Sequence, residues 1–81
     1  MNEGWFAKPV PVAIGISGEV HNVSNARQAV DVLAQHWPEE GTQKHRTAHR
    51  ICLEVLHGMK TPAQAREAFV EAAREADVLI E

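Results

Sequence analysis

The chain has 81 residues and a formal net charge of −3, with 44% hydrophobic and 23% charged residues. This composition is typical of one globular domain with a modest core, and the negative charge disfavours a bulk attraction to nucleic acid or to anionic membranes. The sequence starts without a basic region followed by a long apolar run, and no apolar run approaches the ~18 residues that span a bilayer, so we expect a cytoplasmic protein with no membrane partner.

The first predicted element is a strand over residues 10–16. Branched apolar residues alternate there with alanine, glycine and proline, and a period of two predicts a strand with one buried face. Pro9 and Pro11 are two positions apart, so their missing N–H groups fall on the same edge, which predicts an edge strand or a strand with one blocked edge. We predict an N-terminal arm over residues 1–8 and a single α+β domain over residues 9–81.

A tight turn and a second short strand complete a predicted β-hairpin. A loop of residues 17–19 would set Val20 opposite Ile16 on the apolar face, whereas a two-residue loop would put Glu19 there, so matching of the faces favours the longer loop. Residues 20–23 form the predicted second strand. Two strands alone are barely stable in water, so the apolar face of the hairpin must pack on helices or on another chain.

Three helices are predicted after the hairpin, each from a cap residue and an apolar stripe. The predicted N-caps are Ser24 or Asn25, Thr42 and Thr61. Pro38 ends the first helix because it pushes the preceding residue out of the α region, and Gly58 ends the second in a left-handed conformation. In the third helix, Pro62 occupies the first position and Gln64 completes a capping box.

The apolar stripes define the predicted core. They are Ala26, Ala29, Val30, Leu33 and Trp37 in the first helix, Ala48, Ile51, Cys52, Val55 and Leu56 in the second, and Ala65, Ala68, Phe69, Ala72, Ala73 and Ala76 in the third. The predicted fold class is therefore α+β, with an N-terminal β-hairpin packed against three α-helices.

The spacing of His45, His49 and Cys52 is the pattern that looks most like a chemical site. Offsets of four and three bring the three side chains toward one face of a helix, where they could hold a metal ion with a further ligand. However, structural zinc sites usually take cysteines in pairs, and the simpler interpretation makes Cys52 a small buried apolar residue. A Cys52 nucleophile activated by His49 is disfavoured, because burial raises the pKa of a thiol.

A second candidate site on the same helix is basic. Arg46 and Arg50 lie on its outward face and could receive a phosphate, a nucleic-acid backbone or an acidic protein surface. The alternative is an ordinary solvated face, since no aromatic residue is interleaved for base stacking and no glycine-rich turn precedes the helix. Nucleic acid is the less favoured partner because the chain is acidic.

Acidic residues repeat every four positions on the third helix. Glu67, Glu71 and Glu75 repel one another weakly, and the basic face of the second helix in another copy of the chain could relieve that repulsion. Trp5 and Phe6 either fold over the hairpin or, if exposed, mark a contact surface. These features favour a homo-oligomer such as a dimer.

Three sequence blocks together resemble a known family. They are A-x-x-x-L-x-x-x-W-P from Ala29 to Pro38, A-x-x-x-C-L-x-x-L-x-G from Ala48 to Gly58, and P-x-x-A-R-x-A-F-x-x-A-A-x-x-A from Pro62 to Ala76. With the preceding K-P-V-P-V, this pattern resembles the small bacterial proteins of the domain of unknown function 982 family. The resemblance implies a bacterial domain with a short β part and helices, and it brings no activity, cofactor or catalytic residue. Arg66 in the third block could pair with a carboxylate near the hairpin or with an anionic partner.

The functional hypothesis is a small non-enzymatic interaction domain of unknown cellular role that self-associates. Its expected partner is a second copy of the chain or an unidentified protein, and no cofactor is expected. The alternative is a metal-binding or anion-binding module on the second helix, which would use His45, His49 and Cys52 or the arginines Arg46 and Arg50.

Overall fold

The computed structural model describes residues 3–14, 17–38 and 40–80. The elements in chain order are β1 (Trp5–Ile14), β2 (Glu19–Asn25), α1 (Ala26–Gln35), α2 (Gln43–Leu56) and α3 (Pro62–Glu75). The two strands pair antiparallel and the helices follow, so the predicted α+β fold of a hairpin and three helices is confirmed. None of the helices in the described residues is long and apolar enough to cross a membrane.

The register of the hairpin differs from the predicted one. Val20 pairs with Ala13 and is 57% exposed, so the prediction that Val20 lies opposite Ile16 on the apolar face is wrong. Ile16 itself lies outside the described residues. The reason for the difference is Val23, which this register sets opposite Val10, with both side chains buried. The predicted register would have turned Val23 to the outer face.

The prolines block one edge of β1 only in part. Ala13 N–H donates to the Val78 carbonyl at 2.8 Å, and Ile80 N–H donates to the Pro11 carbonyl at 3.0 Å. This short bridge uses the carbonyl that a proline keeps and not the N–H that it lacks. Asp77, with a φ of 60°, turns the chain from the end of α3 back to the strand. β1 therefore lies between β2 and this C-terminal segment rather than at a bare edge.

β1 begins at Trp5, inside the stretch predicted to be an arm. Its register with β2 shifts between Trp5 and Val10, which indicates a bulge. Before the strand, Ala26 N–H at the start of α1 donates to the carbonyls of Glu3 and Gly4 at 3.1 and 3.0 Å. The division of the chain into an arm and a domain stays a prediction, but residues 3 and 4 contact the helical layer.

Each helix begins at a cap residue that the sequence indicates. Side-chain oxygens of Asn25, Thr42 and Thr61 accept N–H groups in the first turns of their helices. Gln64 completes the predicted capping box by accepting the N–H of Thr61 at 3.0 Å. At the end of α2, Gly58 has a φ of +77°, as a left-handed terminator requires.

The core lies between the hairpin and the helices. Phe69 of α3 is fully buried within it, and its ring centroid is 5.6 Å from that of Trp37. Every residue of the three predicted stripes is buried or half-buried. Val32 is also buried, although it lies outside the predicted stripe of α1, whereas Val30 is half-buried. Burial of the helical stripes is therefore well predicted by the 3.6-residue period.

We expect Gly4→Ala to lower the free energy of unfolding by about 2–4 kcal/mol, through a strained left-handed backbone and overpacking. Gly4 has a φ of +69°, and an added Cβ would lie 2.7 Å from Val55 Cγ1 and 2.8 Å from Ala26 Cβ. Gly58→Ala is the matched control, because its φ is also positive but nothing lies within 4 Å of the added carbon. Urea denaturation measures both changes, and equal losses would contradict the packing of residue 4 against α1 and α2.

Candidate functional site

His45 is held by the main chain on both sides of its ring. Thr42 caps α2 by accepting the His45 N–H. In the ring, Nε2 donates to the Leu33 carbonyl at 2.8 Å, and Nδ1 accepts the Gly41 N–H at 3.3 Å. The ring also packs with its centroid 6.2 Å from that of Trp37. Because both nitrogens are bonded, His45 joins α2 to the end of α1 and presents no free ligand atom.

Cys52 lies in the core with no exposed surface. Ala48 and Val55, which share the inward face of α2, are also fully buried. Burial raises the pKa of the Cys52 thiol to about 12, because the thiolate would lose its hydration. A thiol with that pKa stays protonated near neutral pH, so it is neither an activated nucleophile nor a prepared metal ligand.

The structure does not bring the three candidate metal ligands together at one point. His49 is half-buried one helical turn beyond His45, whose ring is already bonded, while the Cys52 thiol lies in the core. In the part of the chain that the structure describes, no group of three or more histidine, cysteine, aspartate or glutamate side chains could hold a metal ion.

Arg46 and Arg50 are exposed on the outward face of α2. Neither forms a hydrogen bond or ion pair with another described residue. Lys44, at the start of α2, forms an ion pair with Glu71 of α3, with an N–O distance of 3.4 Å. The unpaired positive charge of α2 therefore consists of these two arginines.

Two of the three glutamates in the acidic stripe of α3 have partners within the chain. Glu71 is contacted by Lys44 at 3.4 Å and by Arg74 at 3.0 Å. Glu75 accepts a hydrogen bond from the Thr42 hydroxyl at 2.8 Å. Lys44 and the cap residue Thr42 come with α2, whereas Arg74 belongs to α3 itself, and Glu67 has no ion pair with another described residue. The repulsion is therefore relieved in part within the chain, which weakens this charge pattern as support for self-association.

Arg66 joins α3 to β1. Its Nε donates to the main-chain carbonyl of Lys8 at 2.9 Å. The expected contact near the hairpin is present, but its acceptor is a carbonyl and not the predicted carboxylate. Lys8 lies in the interval where the ladder between β1 and β2 is irregular, and a bulge leaves main-chain groups free to take such a partner.

Two features of the surface follow from the fold and not from a sequence motif. The first is the outward edge of β2, whose neighbour among the described residues is β1 alone. The second is a groove of about 550 Å³ between the start of β1 and α3, beside the exposed indole of Trp5. The sequence has no signal for the first feature, because the register of β2 decides which of its main-chain groups point away from β1. Trp5, Phe6 and Arg66, which the sequence singled out separately, are the signals for the second.

We expect iodoacetamide to leave Cys52 unmodified in the native protein at about pH 8, because a buried thiol with its pKa raised to about 12 offers almost no thiolate. In concentrated guanidinium chloride the same thiol should react readily. Intact-mass spectrometry reads the result directly, since Cys52 is the single cysteine and every thiol adduct reports that position. Labelling of the native protein as fast as of the unfolded chain would contradict the inward orientation of the side chain.

Comparison with known proteins agrees with the resemblance found in the sequence. The family model described as "Protein of unknown function (DUF982)" matches residues 8–80. The NMR structure of Agrobacterium tumefaciens protein Atu1219 is 34% identical to this chain, with a TM-score of 0.80 and coverage of 99% of this chain and 79% of that one. Among curated proteins, none matches the chain. The chain therefore belongs to the DUF982 family, whose function is unknown.

Proposed function

We propose that this protein is a small non-enzymatic interaction domain that forms a dimer by pairing β2 of one copy with β2 of another. The observation that carries the proposal is the outward edge of β2. Within the described residues, the sheet contains β1 and β2, with one further bridge on the far side of β1 between Val12 and Leu79. β2 thus has a partner on one edge only.

The hydrogen bonds of β1 identify which groups of β2 point outward. Ala13 N–H and the Pro11 carbonyl both bond to the C-terminal segment, away from β2. In an antiparallel ladder, the residues opposite such positions direct their own N–H and carbonyl groups away from the shared side. Val20 and Asn22 are those residues. The open edge ends at Ser24, whose N–H donates to Gln28 Oε1 at 2.7 Å.

A second copy of the chain is the partner that this edge fits best. An antiparallel strand edge is complementary to itself under a two-fold axis, so each copy can supply the donors and acceptors that the other lacks. With the axis at His21, Val20 of one copy would exchange main-chain hydrogen bonds with Asn22 of the other. The exposed Val20 side chain would gain cover on the outer face, where it is 57% exposed.

The hydrogen bonds of His45 and the burial of Cys52 support the non-enzymatic part of the proposal. His45 uses both ring nitrogens to bond main-chain groups. Cys52 is buried with its thiol pKa raised to about 12. Neither side chain is available to take a proton from a substrate or to attack one.

We expect light scattering with size-exclusion chromatography at micromolar concentration to give about twice the chain mass of 9.0 kDa. Asn22→Pro should shift the protein to the monomer with the fold retained, because it removes an N–H that points away from β1. Asn22→Ser is the matched control, since it alters the side chain but keeps the N–H and should remain dimeric.

A further variant checks the assignment of the edges. His21→Pro removes an N–H that faces β1, because His21 pairs with Val12, and it should destabilise the monomer itself. A wild-type protein that is monomeric at high micromolar concentration, or an Asn22→Pro variant that stays dimeric, would refute pairing through this edge.

Anion binding by α2 is the second candidate function, and it is supported by the unpaired, exposed guanidinium groups of Arg46 and Arg50. We expect the double variant Arg46→Ala with Arg50→Ala to elute from heparin at lower salt than the wild type, because each lost contact reduces the salt-dependent attraction. Lys44→Ala with Arg74→Ala is the control of equal charge, since those cations are paired with Glu71. Equal elution of both double variants would show that net charge alone decides retention.

A further inference from the structure

The groove between the start of β1 and α3 is lined by both apolar and charged residues. Its volume is about 550 Å³, within the range of sites for small organic molecules. Its apolar lining residues include Trp5 and Phe6 of β1 and Val70 of α3. Arg66 and Glu67 of α3 also line the groove and carry charge. The groove therefore offers an apolar surface next to ionised groups.

Trp5 gives this groove an exposed aromatic face. Its side chain is 62% exposed, whereas tryptophan is usually well buried. The neighbouring Phe6 lies in the core, and because adjacent residues of a strand point to opposite faces, Phe6 directs Trp5 outward. The Trp5 main chain is fixed by pairing with Asn25 at the end of β2. The indole is thus a flat surface on a fixed strand, suited to stacking against another ring.

Arg66 supplies an oriented group for binding an anion. Its Nε is bonded to the Lys8 carbonyl at 2.9 Å, which holds the guanidinium against β1. The terminal nitrogens form no hydrogen bond or ion pair with other described residues. A guanidinium fixed at Nε keeps its remaining N–H groups in a planar arrangement that matches the two oxygens of a carboxylate.

The remaining charges leave one opposing group in the groove. Glu71 is already neutralised by Lys44 and Arg74, so it contributes little repulsion. Glu67 is exposed and has no ion pair or hydrogen bond with another described residue. An anion bound at Arg66 would therefore meet repulsion mainly from Glu67, screened by the surrounding water.

We propose that this groove binds a small aromatic carboxylate, with its ring against Trp5 and its carboxylate on the terminal N–H groups of Arg66. A simple anion would leave the Trp5 surface uncovered. A neutral aromatic molecule would leave the Arg66 donors without a partner. A molecule that carries both groups would engage Trp5 and Arg66 together, independently of whether the protein forms a dimer.

The first test compares three probes on the unmodified protein by ¹H–¹⁵N NMR. N-acetylphenylalanine carries a ring and a carboxylate, N-acetylphenylalaninamide lacks the charge, and acetate lacks the ring. The chain has two tryptophans, so the indole N–H signal of the buried Trp37 is an internal reference for that of Trp5. We expect the acid to shift the Trp5 signal selectively and to bind about tenfold more tightly than the amide, as the loss of a charged hydrogen bond predicts. Acetate should leave the Trp5 signal in place.

The second test uses variants with opposite expected effects. Arg66→Gln should weaken binding of the acid about tenfold, whereas Glu67→Gln should strengthen it by a few fold because it removes the opposing charge. Arg27→Gln is the control for the loss of one arginine, because Arg27 lies on α1 outside the groove, and it should bind like the wild type. A thermal melt of each variant separates loss of the site from loss of the fold, since Arg66 also bonds to Lys8.

The three probes can overturn the proposal on the unmodified protein, even if a variant fails to fold. Equal affinity for the acid and the amide would show that Arg66 does not bind the carboxylate and would overturn the proposal. A Trp5 shift with acetate as large as that with the acid would show that the aromatic ring of the probe does not contribute to binding, which would also overturn the proposal. Equal shifts of the Trp5 and Trp37 signals would indicate a general change in the protein and would overturn binding in this groove.

Discussion

Two strands cannot cover their own apolar face, and the rest of the structure depends on that constraint. The inward side chains of β1 and Val23 of β2 join one core with Phe69, so the helices cover the face of the hairpin. The C-terminal segment covers the edge of β1 that carries the prolines. The outward edge of β2 has no such cover among the described residues, and the proposed dimer would use that edge.

The side chains that look most reactive in the sequence bond to the chain itself. His45 satisfies main-chain groups at the end of α1 and in the α1–α2 connection. Cys52 fills the core, and Glu71 is held between cations of α2 and α3. In a domain this small, helix ends and connections leave many polar groups near the surface, and nearby polar side chains satisfy them. Arg66 differs because only part of its guanidinium is used in this way.

Local signals predicted the helices better than the hairpin. Thr61 and Gln64 form the expected capping box, and the inward position of Cys52 follows from its place in the stripe of α2. The hairpin register was missed because Val20 and Val23 both offered a branched apolar side chain, and only one could face the core. The apolar pattern of the strand does not specify which of the two valines faces the core, because the helices define which face of the hairpin is buried.

The sequence by itself determined where the helices begin and which of their faces are buried, because these depend on residues within a few turns of one another. Its three blocks between Ala29 and Ala76 also indicated the family to which the chain belongs. The tertiary structure alone decided which polar side chains contact residues far away in the chain. Arg66 and Lys8 are 58 positions apart, and Thr42 and Glu75 are 33 apart. Such contacts form because whole elements pack against each other, and no local spacing rule specifies which polar atoms that packing brings within hydrogen-bond distance.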